Sequence, residues 1–236
     1  MSRPSATEMM IQALSQEVRD GEITATGTLS PIPAAACYLA QLTHAPTVRL
    51  LILSSPDWPF DSELEEMFCL AQQGKMGLFF LSGAQIDRQA NTNLVAIGPY
   101  ERPKVRLPGG AGTAMLYLQA RRVALFMVKQ TERSLVEKVD FITGPGGSPG
   151  PRRLGGPTRL VTDLAVFDYL AGQGLVLASI HPGVSQEEVQ ARTGFPLRTS
   201  GPVPQTPAPD KETLALIHGP VKERLAKTYP SFAPEL

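Results

Sequence analysis

Three glycines in four positions are the first residues whose types and spacing suit chemistry. They stand in Pro108-Gly-Gly-Ala-Gly-Thr113, as Gly109, Gly110 and Gly112 around Ala111. Glycine lets a backbone turn tightly and present its N–H groups outward. The run Ala114 to Ala120 that follows has helical character. At a helix N-terminus, N–H groups and the macrodipole favour an anionic oxygen. An oxyanion from a thioester, a carboxylate or a phosphate would each suit this loop. So would no ligand at all, because short glycine patterns recur by chance. The loop lacks G-x-G-x-x-G spacing and a matching acidic residue on a second strand, which argues against a dinucleotide site.

Other candidates are single residues with a plainer reading beside the chemical one. Ser54 ends the apolar run that begins at Val48. Asn91 and Asn93 form a polar turn behind the apolar run ending at Leu81. Glu63, Glu65 and Glu66 follow Ser62, where acidic residues complement a helix dipole more often than they catalyse. His181 stands before Pro182-Gly183 and suits either a strand-end catalyst or a turn residue. Arg152 and Arg153 follow the loop Gly144 to Pro151 and suit an anion or a solvated loop end. His44, His181 and His218 lack metal-ligand spacing, so no metal is expected. Cys37 and Cys69 sit in apolar helical patterns and are expected to be small buried thiols.

Composition narrows the field. Lys plus Arg and Asp plus Glu both total 22, so net charge is zero. Nucleic acid and anionic membranes both select a basic surface, and neither is expected as a partner. No signal-peptide pattern is visible, and no apolar run approaches a membrane span. A cytoplasmic protein is the expectation.

The elements that must position these residues follow from periodicity. Ser5 and Glu8 form a capping-box pattern before Met10, Ile11, Leu14 and Val18, and Gly21 is the expected stop. Ile23 to Gly27 reads as a strand, and a helix opens at Pro31. Val48 to Ser54 has the apolar continuity of a strand covered on both faces. Ser62 with Glu65 and Ser185 with Glu188 are two further capping boxes. Strands are expected at 77–81, 123–128, 139–143, 160–162, 166–167 and 175–180. Asp210 caps a last helix that Gly219-Pro220 interrupts. This alternation predicts an α/β fold, a three-layer α/β/α arrangement with a mostly parallel sheet. Ligands in such sheets bind beyond the strands' carboxyl ends, where Gly27, Ser54, Asn91 to Asn93 and the glycine loop all fall. Residues 1–197 are expected to form the main domain, with 198–236 a proline-rich segment and helix packed on it.

Four stretches together resemble the β subunit of class I coenzyme A transferases, in particular the glutaconate type. They are Gly83-Ala-Gln-Ile-Asp87 with Asn91-Thr-Asn93, Ile97-Gly-Pro-Tyr-Glu-Arg-Pro103-Lys, the loop Gly109 to Gly112, and His181-Pro-Gly-Val184 through Phe195. The similarity runs from about Met10 to Leu197. It implies the fold shared with sugar-phosphate isomerases and a homologous α subunit, as a heterodimer or heterotetramer, with the active site between subunits. It implies no permanently bound cofactor and a coenzyme A thioester as substrate. Ser54, Gln85, Asn91, Asn93, Gly109, Gly110, Ala111 and Gly112 would bind substrate, the last four as the oxyanion loop.

The departures from the family pattern concern the nucleophile. Family transferases attack the thioester with a glutamate followed by Ser-Gly. The corresponding residues here are Leu53-Ser54-Ser55, so Leu53 replaces the glutamate. The segment between Ser55 and Gly83 is shorter, and Ala90 replaces a glycine. Some relatives hydrolyse carbon–carbon bonds in cyclic CoA thioesters without that glutamate, using a carboxylate of the α subunit. The alternatives are thus a transferase-family subunit without its own nucleophile, a ring hydrolase subunit, or a non-catalytic structural subunit. A sugar-phosphate-binding protein on the same fold is a further one.

Overall fold

A reciprocal pair of hydrogen bonds starts the chain's first helix. Ser5 Oγ accepts from the Glu8 N–H (3.2 Å), and the Glu8 carboxylate accepts from the Ser5 N–H (2.6 Å). Two of the helix's orphan donors are thereby satisfied, as the Ser-x-x-Glu pattern predicts. The computed structural model describes residues 3–147 and 153–236. Ser148 to Arg152 lie outside the described residues, and with them most of the predicted Gly-Pro loop and one arginine of its pair.

The first elements are α1 (Ala6–Ser15), β1 (Ile23–Thr26), α2 (Pro31–Leu42), β2 (Arg49–Ile52), α3 (Glu63–Gln72) and β3 (Met76–Leu81). Short strands β4 (Gln85–Asp87), β5 (Thr92–Asn93), β6 (Ala96–Ile97) and β7 (Val105–Arg106) follow. Then come α4 (Thr113–Gln119), β8 (Arg122–Met127), β9 (Leu135–Val136), β10 (Pro157–Thr162), β11 (Ala165–Leu170) and β12 (Gly174–Ile180). The chain ends through α5 (Gln186–Ala191), α6 (Lys211–Leu216) and α7 (Lys222–Ala226). A kink at Gly219-Pro220 separates the last two.

Two compact units result, Met1–Phe80 with Pro207–Leu236, and Leu81–Thr206. In the first, β1 pairs in parallel with both β2 and β3. All six residues of β3 are buried, which its apolar run Met-Gly-Leu-Phe-Phe-Leu predicts. Pro31 occupies the first turn of α2, and Ile32 to Ala40 are buried without interruption. In the second unit, β8 pairs in parallel with β10, and β10, β11 and β12 form an antiparallel meander. The fold is therefore α/β with mostly parallel main strands, as expected.

Several local expectations fail for identifiable reasons. α1 stops at Ser15, and Gly21 instead takes φ +74° in the turn before β1. β2 is an edge strand that meets its expectation only in part: Arg49 is exposed and Leu50 half-buried, while Leu51 and Ile52, on opposite faces, are both buried. Ser62 makes no capping bond, because its hydroxyl donates to the Glu65 carboxylate while the neighbouring Glu63 reaches elsewhere. Residues 139–143 form no strand. Their polar groups serve the turn at Asn93 instead. Cys37 is buried and its thiol pKa is pushed up by burial, but Cys69 is exposed because it lies on the outer face of α3.

His218 extends the α1 cap by bonding Glu8 through Nε2 (2.5 Å). Burial alone would raise the Glu8 pKa. The Ser5 N–H and then His218 outweigh it and hold it below its ordinary range. A carboxyl with a depressed folded pKa stabilises above its unfolded value, about pH 4.3, and that stability is lost as pH falls through the folded value. Ser5→Ala is expected to cost about 1 kcal/mol at neutral pH. Glu8→Gln should flatten the acid limb of stability against pH. Urea melts across pH check both.

Candidate functional site

The polar turn between β4 and β5 is built by its own side chains. The two strands pair antiparallel with Gln85 opposite Asn93. Asn93 has no exposed surface. Its Nδ2 donates to Gln85 Oε1 and to the Ala96 carbonyl, both at 2.7 Å. Its Oδ1 accepts from the Val95 N–H at 3.0 Å and the Ala96 N–H at 3.3 Å. Gln85 passes the network on. Its Oε1 also accepts from the Asp140 N–H (3.0 Å), and its Nε2 donates to Asp140 Oδ2 (3.0 Å). The same carboxylate oxygen accepts from the Gly98 N–H (2.9 Å).

Asn91 serves a second carboxylate. Asp87 accepts from the Asn91 N–H (3.0 Å), from Asn91 Nδ2 (2.9 Å) and from the Gln89 N–H (2.9 Å). Burial raises the Asp87 pKa against those hydrogen bonds. Asn91 Oδ1 accepts from the Gly146 N–H (2.9 Å). Ala90 bridges the two sets at φ +60°. A left-handed residue with a Cβ costs roughly 1–2 kcal/mol, a cost that a glycine here would avoid. The buried Tyr117 hydroxyl donates to the Ala90 carbonyl (2.6 Å), and burial raises its pKa well above the ordinary value.

The glycine loop hangs from this turn. Gly109 takes φ +99° and donates its N–H to the Leu94 carbonyl (2.9 Å). Leu94 in turn donates to Thr143 Oγ1 (2.9 Å). Of the four predicted loop donors, Gly109 is therefore committed internally. The N–H groups of Gly110, Ala111 and Gly112 meet no acceptor among the described residues. Ala111 adopts φ +41°, so consecutive loop amides are turned by a strained residue. A Cβ on Gly110 would collide with Thr143 Cγ2, and Thr143 is held by its bond to Leu94. Gly112 takes φ −81°, which any residue adopts, and precedes α4. The loop therefore carries three consecutive backbone donors without an acceptor among the described residues.

Ser54 and Leu53 belong to the other unit. Leu53 is 5% exposed and packs inward. Ser54 is exposed at φ +65°, and it is the outward-facing residue beyond β2. Neither carries a carboxylate. Glu63, the first residue of α3, does reach this strand end: both its carboxylate oxygens lie 3.2 Å from the Ser54 N–H. The sequence places Glu63 in a helix's first turn, which is correct, but only the chain's path from Ser55 to Ser62 brings its side chain back.

His181 is not available to a substrate. Its ring nitrogens contact Thr206 Oγ1 (3.0 Å) and the Thr162 carbonyl (2.9 Å). Arg153 donates to the carbonyls of Pro145 and Gly146. Sequence reasoning passed over Asp87, Asp140 and Thr143, the acceptors that hold the turn. Asp87 stands inside a recognisable motif, but Asp140 and Thr143 carry no local signal because their partners lie about 50 residues upstream. Among the described residues, no group of three or more His, Cys, Asp or Glu is placed to hold a metal ion. No helix among them is long and apolar enough to cross a membrane.

Comparison with known proteins adds a family. Residues 54–192 match the coenzyme A transferase family. The chain is 34% identical to the β subunit of 3-oxoadipate CoA-transferase from Pseudomonas knackmussii, over 92% of this chain and 93% of that protein. It is 28% identical to the β subunit of glutaconate CoA-transferase from Acidaminococcus fermentans, over 89% and 90% of the two chains. It is 27% identical to the cholesterol ring-cleaving hydrolase IpdB subunit of Rhodococcus jostii, over 84% of each. Among solved structures, that of the decarboxylase AibA/AibB superposes with a TM-score of 0.80 at 28% identity, covering 98% of both chains.

Asn93→Ala would strand the Val95 and Ala96 amides and the Ala96 carbonyl, and would leave Gln85 Oε1 with the Asp140 N–H alone. Each such group costs about 1–3 kcal/mol. The variant is expected to lose at least about 2 kcal/mol in urea unfolding and to speed amide exchange at Gly109.

Proposed function

Because the chain belongs to the coenzyme A transferase family, we propose that it is the β subunit of a two-subunit enzyme acting on an acyl-CoA thioester, and that its glycine loop holds the oxyanion formed at the thioester carbonyl. The observation that carries this reading is the set of three unengaged amides at Gly110, Ala111 and Gly112. Attack on a thioester moves negative charge onto the carbonyl oxygen. Donors already aimed at that oxygen need no reorganisation, and each is worth a few kcal/mol in the transition state. The Asn93 and Gln85 network acts one step back, by holding Leu94 and thus Gly109. Coenzyme A enters as part of the substrate, and the chemistry calls for no bound cofactor. An acyl-CoA substrate fits a cytoplasmic protein. A homologous α subunit completes the site and brings the catalytic carboxylate.

A second reading has its own observation. Leu53 and Ser54 leave the end of β2 without a carboxylate of its own. That favours a mechanism without a glutamyl thioester on this subunit, such as hydrolysis of a carbon–carbon bond in a cyclic CoA thioester. The two readings share the oxyanion loop and differ in what attacks.

The loop is tested at Gly112, where a side chain adds bulk without left-handed strain. Gly112→Val should lower kcat of the reconstituted complex by about 100-fold or more while its melting temperature stays within a few degrees. Unchanged turnover would return the loop to a purely structural role. Gly110→Val is the poorer probe, since its collision with Thr143 would damage the fold as well.

The attacking group is tested by trapping. The complex is incubated with an acyl-CoA, and any enzyme thioester is captured with hydroxylamine or borohydride and located by peptide mass spectrometry. No label is expected on this chain. A label confined to the partner identifies a transferase. Continued hydrolysis with no label identifies the hydrolase. A label on Glu63, whose carboxylate reaches the end of β2, would show that this subunit supplies its own nucleophile.

A further inference from the structure

The outer edge of β2 has the features of a vacant strand position. Within its unit the strand order is β3-β1-β2, so one side of β2 has no neighbour among the described residues. The Arg49 N–H donates to the Glu22 carbonyl at 2.9 Å, which sets the phase of the ladder. Alternation then turns Arg49 and Leu51 toward β1, and the amides of Leu50 and Ile52 away from it. Neither outward amide meets an acceptor among the described residues. Ile52 is only 3% exposed, so its outward N–H is buried, and buried backbone donors are rarely left without a partner.

A cavity of about 430 Å³ lies along this edge. Tyr38 of α2 and Leu70 of α3 line it, together with Trp58 and Phe60 from the loop after β2. The β1–α2–β2 and β2–α3–β3 crossovers run in opposite directions across the sheet. Right-handed connections therefore place α2 and α3 on opposite faces. The cavity is thus the space between two helix layers where a further strand would lie, about 4.8 Å from β2. Trp58 is fixed by donating Nε1–H to the Ser62 carbonyl (3.3 Å). Arg224 lies 4.3 Å over the Tyr38 ring and pairs with Asp57 at 3.2 Å, which engages the carboxylate that lines the cavity. Arg49 is left exposed there without an ionic partner among the described residues.

We infer that this edge receives an extended, acid-bearing segment of the partner subunit, which adds as a strand to β2. Its main chain would bond Leu50 and Ile52, its apolar side chains would fill the cavity, and a carboxylate would pair with Arg49. The inference rests on the two-subunit reading above. The glycine loop belongs to the other unit.

The test compares this chain alone with the heteromer formed by co-expression with its α subunit, using amide hydrogen exchange. The Leu50 and Ile52 amides should exchange on the order of 100-fold more slowly in the heteromer. Leu50→Pro removes an outward N–H, which an edge strand tolerates, together with one half-buried side chain of the cavity wall. It should weaken the heteromer at least tenfold while the isolated chain melts near its original temperature. If that variant does not fold, Arg49→Glu takes its place and should weaken the heteromer similarly. A heteromer that forms with these amides exchanging as in the free chain overturns the inference and leaves the two-subunit reading standing. Protection already present in self-associated chain alone shows a second copy in the slot and overturns it too. Absence of any heteromer overturns both.

Discussion

The geometry of the candidate site depends on one desolvated amide, the side chain of Asn93. Its oxygen takes two backbone N–H groups and its nitrogen satisfies a carbonyl and the Gln85 side chain. Inside a protein such bonds are strong, and an unpaired member is costly, so the network holds together or not at all. From Asn93 the constraint passes to Leu94, whose carbonyl takes the Gly109 amide. The next three amides are then free to face a ligand. The loop is thereby anchored to a turn some 16 residues earlier, and Ala111's own left-handed backbone turns the amides beyond that anchor.

Backbone strain accompanies this arrangement. Ser54, Ala90 and Ala111 take φ of +65°, +60° and +41° without being glycine. Each costs on the order of 1–2 kcal/mol, and each is compensated locally. The Glu63 carboxylate holds the Ser54 amide, Tyr117 holds the Ala90 carbonyl, and Gly109 anchors the loop before Ala111. Left-handed residues that persist against their own preference concentrate where a backbone must present groups at a fixed angle.

The chemistry that follows is asymmetric. The chain leaves three consecutive loop amides without an internal acceptor, while the end of β2 carries a buried leucine, an exposed serine and, reaching back from α3, the Glu63 carboxylate. Donors lower a barrier only when something attacks, and on the proposed reading the attacking group comes from the partner. A subunit read this way is compatible with more than one reaction. The transferase, hydrolase and decarboxylase named among its relatives show how far one family's scaffold extends.

Much of this was legible in the residues alone. The cap at Ser5 and Glu8, the buried run at 77–81, most of the run at 123–128, and strands at 160–162 and 166–167 all follow from local pattern, because capping and apolar periodicity act over a few residues. The absence of a glutamate at Leu53 to Ser55 also stands in the sequence itself. What only the tertiary structure decided are the long-range assignments. Gln85, Asn91 and Asn93 proved to be holders of a turn, with Asp140 and Gly146 as partners of Gln85 and Asn91 from about 50 residues away, and Thr143 taking the Leu94 amide beside them. Glu63 proved to reach a strand end, His181 to be locked between Thr162 and Thr206, and Gly109 to be already bonded. The physical reason is common to all of them. Which acceptor a buried polar group finds depends on how segments distant in sequence pack, and no periodicity in the chain records that choice.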